Sequence, residues 1–128
     1  MKSRKSLKKK MDTLFSQYIR QKYANHEGYC ICVTCGRPVN WKYECDAGHY
    51  RPRQHNKTRF DERNVHPQCK SCNGAEGGEQ HRHGVYIDKT YGEGTSEELY
   101  RLSKESCPYS ISDYEEMIAD LKERLKEI

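Results

Sequence analysis

The sequence predicts a small α+β domain in which a metal clips short strands and loops together between helical ends. Three observations predict it. Apolar residues make up only 34% of 128 residues, too thin a supply for a large core without a cross-link. Four of the seven cysteines fall in two C-x-x-C pairs, which can supply that cross-link. A helical apolar period runs through the two ends of the chain and is missing between them. The expected organisation is therefore one domain over 1–128: a basic arm and helix over 1–28, a metal-bound core with loops over 29–94, and a helical part over 95–128.

The first helix follows from Leu7, Met11, Leu14, Phe15, Tyr18, Ile19 and Tyr23, which recur at three- and four-residue steps and predict an amphipathic helix over about 6–24. Asn25 to Gly28 should end it. From Tyr29 to Asn73 the glycines and prolines cut the chain into short extended pieces and turns. Residues 74–94 hold six glycines and predict a short helix followed by loops. Thr95 with Glu98, and Ser112 with Glu115, read as capping boxes opening two further helices. Along the last one Tyr114, Met117, Ile118, Leu121, Leu125 and Ile128 form an apolar seam, for packing on the domain's own core or for a homodimer.

Charge is unevenly spread. Lys2, Arg4, Lys5, Lys8, Lys9 and Lys10 put six cations in the first ten residues, leaving 17 bases against 19 acids elsewhere. A basic arm on a nearly neutral body suits a polyanion, with nucleic acid favoured over membrane because no apolar face accompanies it. No apolar run approaches 18 residues and mean hydropathy is −1.16, which excludes a transmembrane helix. With no signal-type apolar stretch and an odd cysteine count, the expected setting is intracellular, and metal binding is the better use of the thiols than disulfides.

Cys32-x-x-Cys35 and Cys69-x-x-Cys72 are separated by 33 residues, and each pair can turn two sulfurs toward one ion. Four thiolates suit a structural zinc, which leaves no open position for water, so any catalysis needs a second site. Cys30 is an alternative to Cys32; Cys45 and Cys107 read as ordinary thiols.

Between the pairs the order of residues becomes specific. His49-Tyr50-Arg51-Pro52, then Asn64, then Asn73 directly after the second pair resemble the HNH (ββα-metal) endonucleases. Asp12 to Arg20, Cys32 to Gly36, Asp46 to Tyr50, Arg59 to Asn64 and Gln68-Cys69 further resemble the phage NinG (Rap) recombination nucleases, over most of the chain. The stretch Cys72-Asn73-Gly74-Ala75-Glu76-Gly77 is similar to the zinc-containing phage resolvases of the endonuclease VII type.

The resemblance implies a zinc-stapled ββα-metal core and a DNA endonuclease that hydrolyses phosphodiesters in branched DNA, such as Holliday junctions or D-loops, during phage recombination and alongside phage recombination proteins. It assigns His49 as general base, since a neutral imidazole with a pKa of about 6.5 suits that task. It assigns Asn64 to hold the loop that orients His49, and Asp46 and Asn73 to supply oxygens to a catalytic Mg2+ or Mn2+, assisted by Glu76. Gly48 stands where the usual pattern has an acid directly before the base. Asp46 and His49 would then share a face only if Ala47-Gly48 bulges, and Asp46 as a turn cap is the alternative.

Lys8, Lys9, Lys10, Arg51, Arg53, Lys57, Arg59 and Arg63 are the expected phosphate contacts. His66 reads as a structural histidine or a contact to substrate or metal, and Asp61 and Glu62 as ion-pair partners of the neighbouring arginines or further ion ligands. Two other functions remain open: an HNH nuclease of restriction or homing type, cutting linear duplex, and a non-catalytic zinc module that binds DNA or protein.

Overall fold

The computed structural model describes residues 2–75 and 78–128. Their order is α1 (Arg4–Lys22), β1 (Tyr29–Ile31), β2 (Pro38–Asn40), β3 (Cys45–His49), α2 (Asn56–Arg59), a 3-10 turn (Glu62–Asn64), β4 (Val65–Cys69), α3 (Lys70–Gly74), α4 (Gln80–Tyr91), α5 (Thr95–Ser103) and α6 (Ile111–Lys126). This is a small mixed α+β domain with two separate antiparallel strand pairs, β1–β2 and β3–β4.

α1 starts earlier than the apolar period suggests and takes in most of the basic arm. Ser3 caps it in a reciprocal box with Ser6, so Lys5, Lys8, Lys9 and Lys10 are helical. Asn25 closes the turn that follows, its Oδ1 accepting from the Glu27 and Tyr29 amides, and Gly28 takes the left-handed φ of +87°. Leu7, Met11, Phe15, Tyr18 and Ile19 are buried against Tyr114, Ile118 and Leu121 of α6 and Val65 of β4. At about 2 kcal/mol per buried side chain, that face of α1 contributes on the order of 10 kcal/mol before chain entropy is charged against it. The α6 seam is thus buried within its own domain, while Ile111 and Ile128 at its ends stay exposed.

Three local expectations need correction. α6 opens at Ser110, whose box is completed by Asp113, so Ser112 and Glu115 lie inside the helix. α5 has Gly94 at its cap with φ +93°. Thr95 turns back to the Gly92 carbonyl, and Glu98 pairs with Arg63 and caps nothing. The glycine-rich stretch holds a twelve-residue helix, α4, where a short one was expected. The glycine inside it, Gly84, lies where α4 meets Tyr50; a Cβ there would sit 3.2 Å from the Tyr50 ring. Local propensity disfavours glycine in a helix, and here the close approach explains it.

Candidate functional site

The two C-x-x-C pairs meet where the two strand pairs meet. Cys32 and Cys35 lie in the turn between β1 and β2, closed by the Gly36 amide on the Cys32 carbonyl, with Gly36 at φ +78°. Cys69 ends β4 and its sulfur accepts from the Cys72 amide at the start of α3. The Val33 amide donates to the Pro67 carbonyl and ties the halves together. All four sulfurs lie within 4.8 Å of one another, and Cys35 Sγ is 3.9 Å from Cys69 Sγ. Sulfurs around a tetrahedral zinc, each about 2.3 Å from it, stand roughly 3.8 Å apart, so the set fits that ion.

The thiol chemistry agrees. Burial opposes ionisation of Cys32, yet hydrogen bonds from Thr34 and from neighbouring backbone amides outweigh it and bring its pKa down to about 6. At Cys72 Thr34 favours the thiolate, but burial and the three neighbouring cysteines push the pKa up to about 12. Thiols this crowded ionise together only against a cation. Cys30 is buried elsewhere, its thiol on the Arg20 carbonyl, so the geometry selects Cys32. Cys45 is buried beside Cys30, and Cys107 is half-buried.

A cleft of about 690 Å³ opens between α1 and the free edge of β3. Asp12, Arg20, Lys42, Asp46, His49, Arg53, Lys70 and Asn73 are among its charged and polar lining. The expected bulge is not there: β3 pairs with β4 in unbroken register, Asp46 opposite Gln68 and His49 opposite Val65. Both side chains reach the same cleft because β3 belongs to a two-stranded sheet, and the cleft runs along its unpaired edge, open to both faces. Gly48 has its own steric reason. A Cβ built on it would lie 1.8 Å from Gln68 Oε1, so no acid fits directly before His49 while Gln68 fills that space.

Within the cleft, the Asp46 carboxylate accepts from Lys70 Nζ at 2.7 Å and from Asn73 Nδ2 at 3.1 Å. The Asp46 carboxylate and the Asn73 amide oxygen are hard ligands of the kind a divalent ion takes, and Lys70, exposed, is the cation now seated beside Asp46. Among the described residues, no cluster of three carboxylate, histidine or cysteine ligands besides the four thiols is present. Glu76 lies outside the described residues.

His49 is positioned by its second nitrogen: Nε2 lies 3.0 Å from the Arg59 carbonyl. A carbonyl can only accept, so Nε2 carries the proton and Nδ1 keeps its lone pair. Burial pushes the pKa of His49 down to about 4, partly countered by that hydrogen bond, so the ring is neutral at physiological pH.

Asn64 does not line the cleft. It is fully buried behind it, accepting from the Arg51 amide at 2.8 Å and donating to the Arg51 and Thr58 carbonyls at 3.1 Å each. It therefore staples both ends of the loop that follows His49. His66 is also kept from the cleft: its Nδ1 is 2.8 Å from His83 Nε2 and its Nε2 2.9 Å from the Tyr91 hydroxyl, with both histidines fully buried. Asp61 caps the 3-10 turn and pairs with Arg63, and Glu62 pairs with Lys22 and Arg124.

The expected phosphate contacts divide. Arg53 lines the cleft, and Lys9 and Lys10 are exposed on α1. The others are engaged within the chain. Arg59 grips Asp12, Arg63 pairs with Asp61 and Glu98, Arg51 bonds Ser103 and stacks on Tyr100, Lys8 bonds Asn56, and Lys57 lies 4.0 Å from Glu105. Asp61 is a local partner of Arg63, as the sequence suggested, whereas Asp12, Glu98, Ser103, Glu105 and the Lys8–Asn56 contact come from distant segments. Asp12, Lys42 and Lys70 line the cleft without having been given a role; Asp12 opens the first stretch of the NinG resemblance and is an acid on an otherwise basic helix.

The family model described as "Bacteriophage Lambda NinG protein" matches residues 1–128. The chain belongs to the NinG family. Protein ninG of Salmonella phage P22 is 30% identical over 103 residues, covering 75% of this chain and 50% of that protein. The protein ninG of Escherichia phage 933W is 31% identical over 98 residues (71% and 48%), and that of Escherichia phage lambda 30% over 98 residues (71% and 47%). The chain spans about half the length of these curated NinG relatives. No solved structure matches it. Among the described residues of this NinG-family chain, no helix is long and apolar enough to cross a membrane.

Proposed function

We propose that this NinG-family chain is a metal-dependent DNA endonuclease of the HNH, ββα-metal type that hydrolyses phosphodiesters in branched DNA. The observation that carries the reading is the convergence of Asp46, His49 and Asn73 on one cleft, with the His49 Nδ1 lone pair left free by the bond from Nε2. In this reading β3, β4 and α3 are the ββα unit, the four cysteines hold its end in place, and Asn64 keeps the loop that carries the base from drifting.

His49 Nδ1 would take the proton from the attacking water. Its neutral form is already present at cellular pH, and a low intrinsic basicity is offset when phosphate brings negative charge beside the ring. Asp46 and Asn73 would hold Mg2+ or Mn2+, which when bound would stabilise charge developing on the phosphate and the departing 3′ oxygen. Lys70, freed from Asp46, and Arg53 would then face the flanking phosphates. Selectivity for branches is in keeping with backbone contacts alone, because the cleft offers cations and no base-reading helix. The α6 seam is buried within the chain, so two copies cutting one junction symmetrically would meet through another surface.

The test is cleavage of matched linear, forked and four-way DNA with and without Mg2+, using wild type and His49→Ala. Expected is Mg2+-dependent nicking at the branch, lowered at least ~100-fold by His49→Ala while zinc content and DNA binding persist. Equal cutting of linear duplex would favour a restriction or homing type of nuclease. Binding without any cutting by wild type would leave a non-catalytic zinc module, and undiminished cutting by His49→Ala would remove the proposed base.

A further inference from the structure

We infer that Asp12 is a positioning residue for His49, acting through Arg59 to hold the one carbonyl that fixes which imidazole nitrogen faces the cleft; the inference rests on the nuclease reading only for its kinetic consequence. The chain of contacts is short. His49 Nε2 donates to the Arg59 carbonyl at 3.0 Å, and the Arg59 guanidinium grips Asp12 with both ends, Nε to Oδ1 at 2.8 Å and the second nitrogen to Oδ2. A third guanidinium nitrogen donates to the Arg53 carbonyl, on the loop lining the cleft. The pair is largely shielded, with side chains 13% and 18% exposed.

The clamp is needed because the element carrying that carbonyl is weak. α2 has only four residues and no side-chain cap, and its carbonyls are held from outside the helix, Thr58 by the Phe60 and Asp61 amides and Asn64 Nδ2, and Arg59 by His49. Lys8 on Asn56 and Asn64 on the Thr58 carbonyl hold its start and middle, and two contacts to α1 hold the end that carries the Arg59 carbonyl: the Asp12–Arg59 fork and, three residues further along α1, Phe15 edge-on to Phe60 with ring centroids 5.7 Å apart. A bidentate fork fixes orientation as well as distance, which a single ammonium contact does not. If α2 moves, Nε2–H loses its acceptor, the Nδ1–H tautomer becomes competitive, and the nitrogen facing the cleft carries a proton it cannot use as a base. Asp12 also offsets the Arg59 charge felt by the ring, so its loss would leave His49 facing that cation as well as Arg53.

The experiment pairs 15N NMR of the His49 ring with nicking kinetics in wild type, Asp12→Asn, Asp12→Glu and Arg59→Lys, at neutral pH and saturating zinc. Wild type should show a single Nε2–H tautomer. Asp12→Asn and Arg59→Lys should show a mixture, with kcat for nicking lowered ~10- to 100-fold, DNA KM and half-saturating Mg2+ unchanged, and zinc content at the wild-type level. Asp12→Glu, which keeps the charge and fork, should restore the single tautomer and most of the rate. A single Nε2–H tautomer in folded Asp12→Asn would overturn the inference, as would an unchanged tautomer with a raised Mg2+ requirement, which would make Asp12 an ion ligand instead. The tautomer is read without turnover, so a wild type that cuts no DNA would refute the nuclease reading and still leave the clamp decided by the spectrum.

Discussion

Replacing Gly48 by alanine should destabilise the domain far more than a single methyl group suggests, and removing Gln68 should reverse most of the effect. A Cβ at position 48 would lie 1.8, 2.6 and 2.9 Å from Oε1, Cδ and Cγ of Gln68, well inside contact distance. Gln68 cannot simply rotate away. It is fully buried on β4, opposite Asp46, and its Nε2 donates to the Gly78 carbonyl at 2.9 Å. Displacing it breaks that bond, worth about 1 kcal/mol, and adds overpacking strain of about 1–3 kcal/mol, so Gly48→Ala should cost roughly 2–4 kcal/mol. Urea denaturation at fixed, saturating zinc measures it. In the double variant Gly48→Ala/Gln68→Ala the clash has no partner, and its cost should fall short of the sum of the single variants by about 1–3 kcal/mol. Gly48→Asp, which restores an acid directly before His49, should be worse than alanine. Gly48→Ala within 0.5 kcal/mol of wild type, or an additive double variant, would refute the steric account of this position (~0.5 kcal/mol being the usual additivity error).

Two further outcomes follow from the same structure. Burial pushes the pKa of His49 and His83 down to about 4 and of His66 to about 3, all below the ordinary 6.5, so the folded state favours the neutral rings. Their contribution is complete above pH 6.5 and is lost as pH falls toward 4, where only the unfolded chain takes up protons. Stability should therefore drop by roughly 1.4 kcal/mol per pH unit for each histidine in that window. His83→Phe should lower the slope by about one proton, and an unaltered slope would count against its burial as a neutral ring. Chelating the metal, or Cys69→Ser, should abolish the cooperative unfolding of the strand pairs, while Cys30→Ser and Cys45→Ser keep one zinc per chain by atomic absorption. Full stability in the presence of chelator would show that the thiol cluster is no staple.

Features set by local spacing can be read from the chain alone. Two C-x-x-C pairs each dictate a turn that presents two sulfurs, and the apolar stripes of α1 and α6 dictate which faces are buried, because a helix repeats its geometry every few residues. His49 and Asn73 were singled out by resemblance to the HNH endonucleases, and the fold places both on one cleft. Pairings between segments distant in sequence emerge only once the chain is folded. Asp12, 47 residues earlier, grips Arg59, and Glu98 pairs with Arg63 from 35 residues later, partners that no local pattern names. The glycines at positions 48 and 84 answer to Gln68 and Tyr50, which approach from other elements. Charge, sterics and hydrogen bonding act through space, so a residue's neighbours along the chain reveal its conformational preferences, and its neighbours across the fold determine whether its charge is free to meet a ligand.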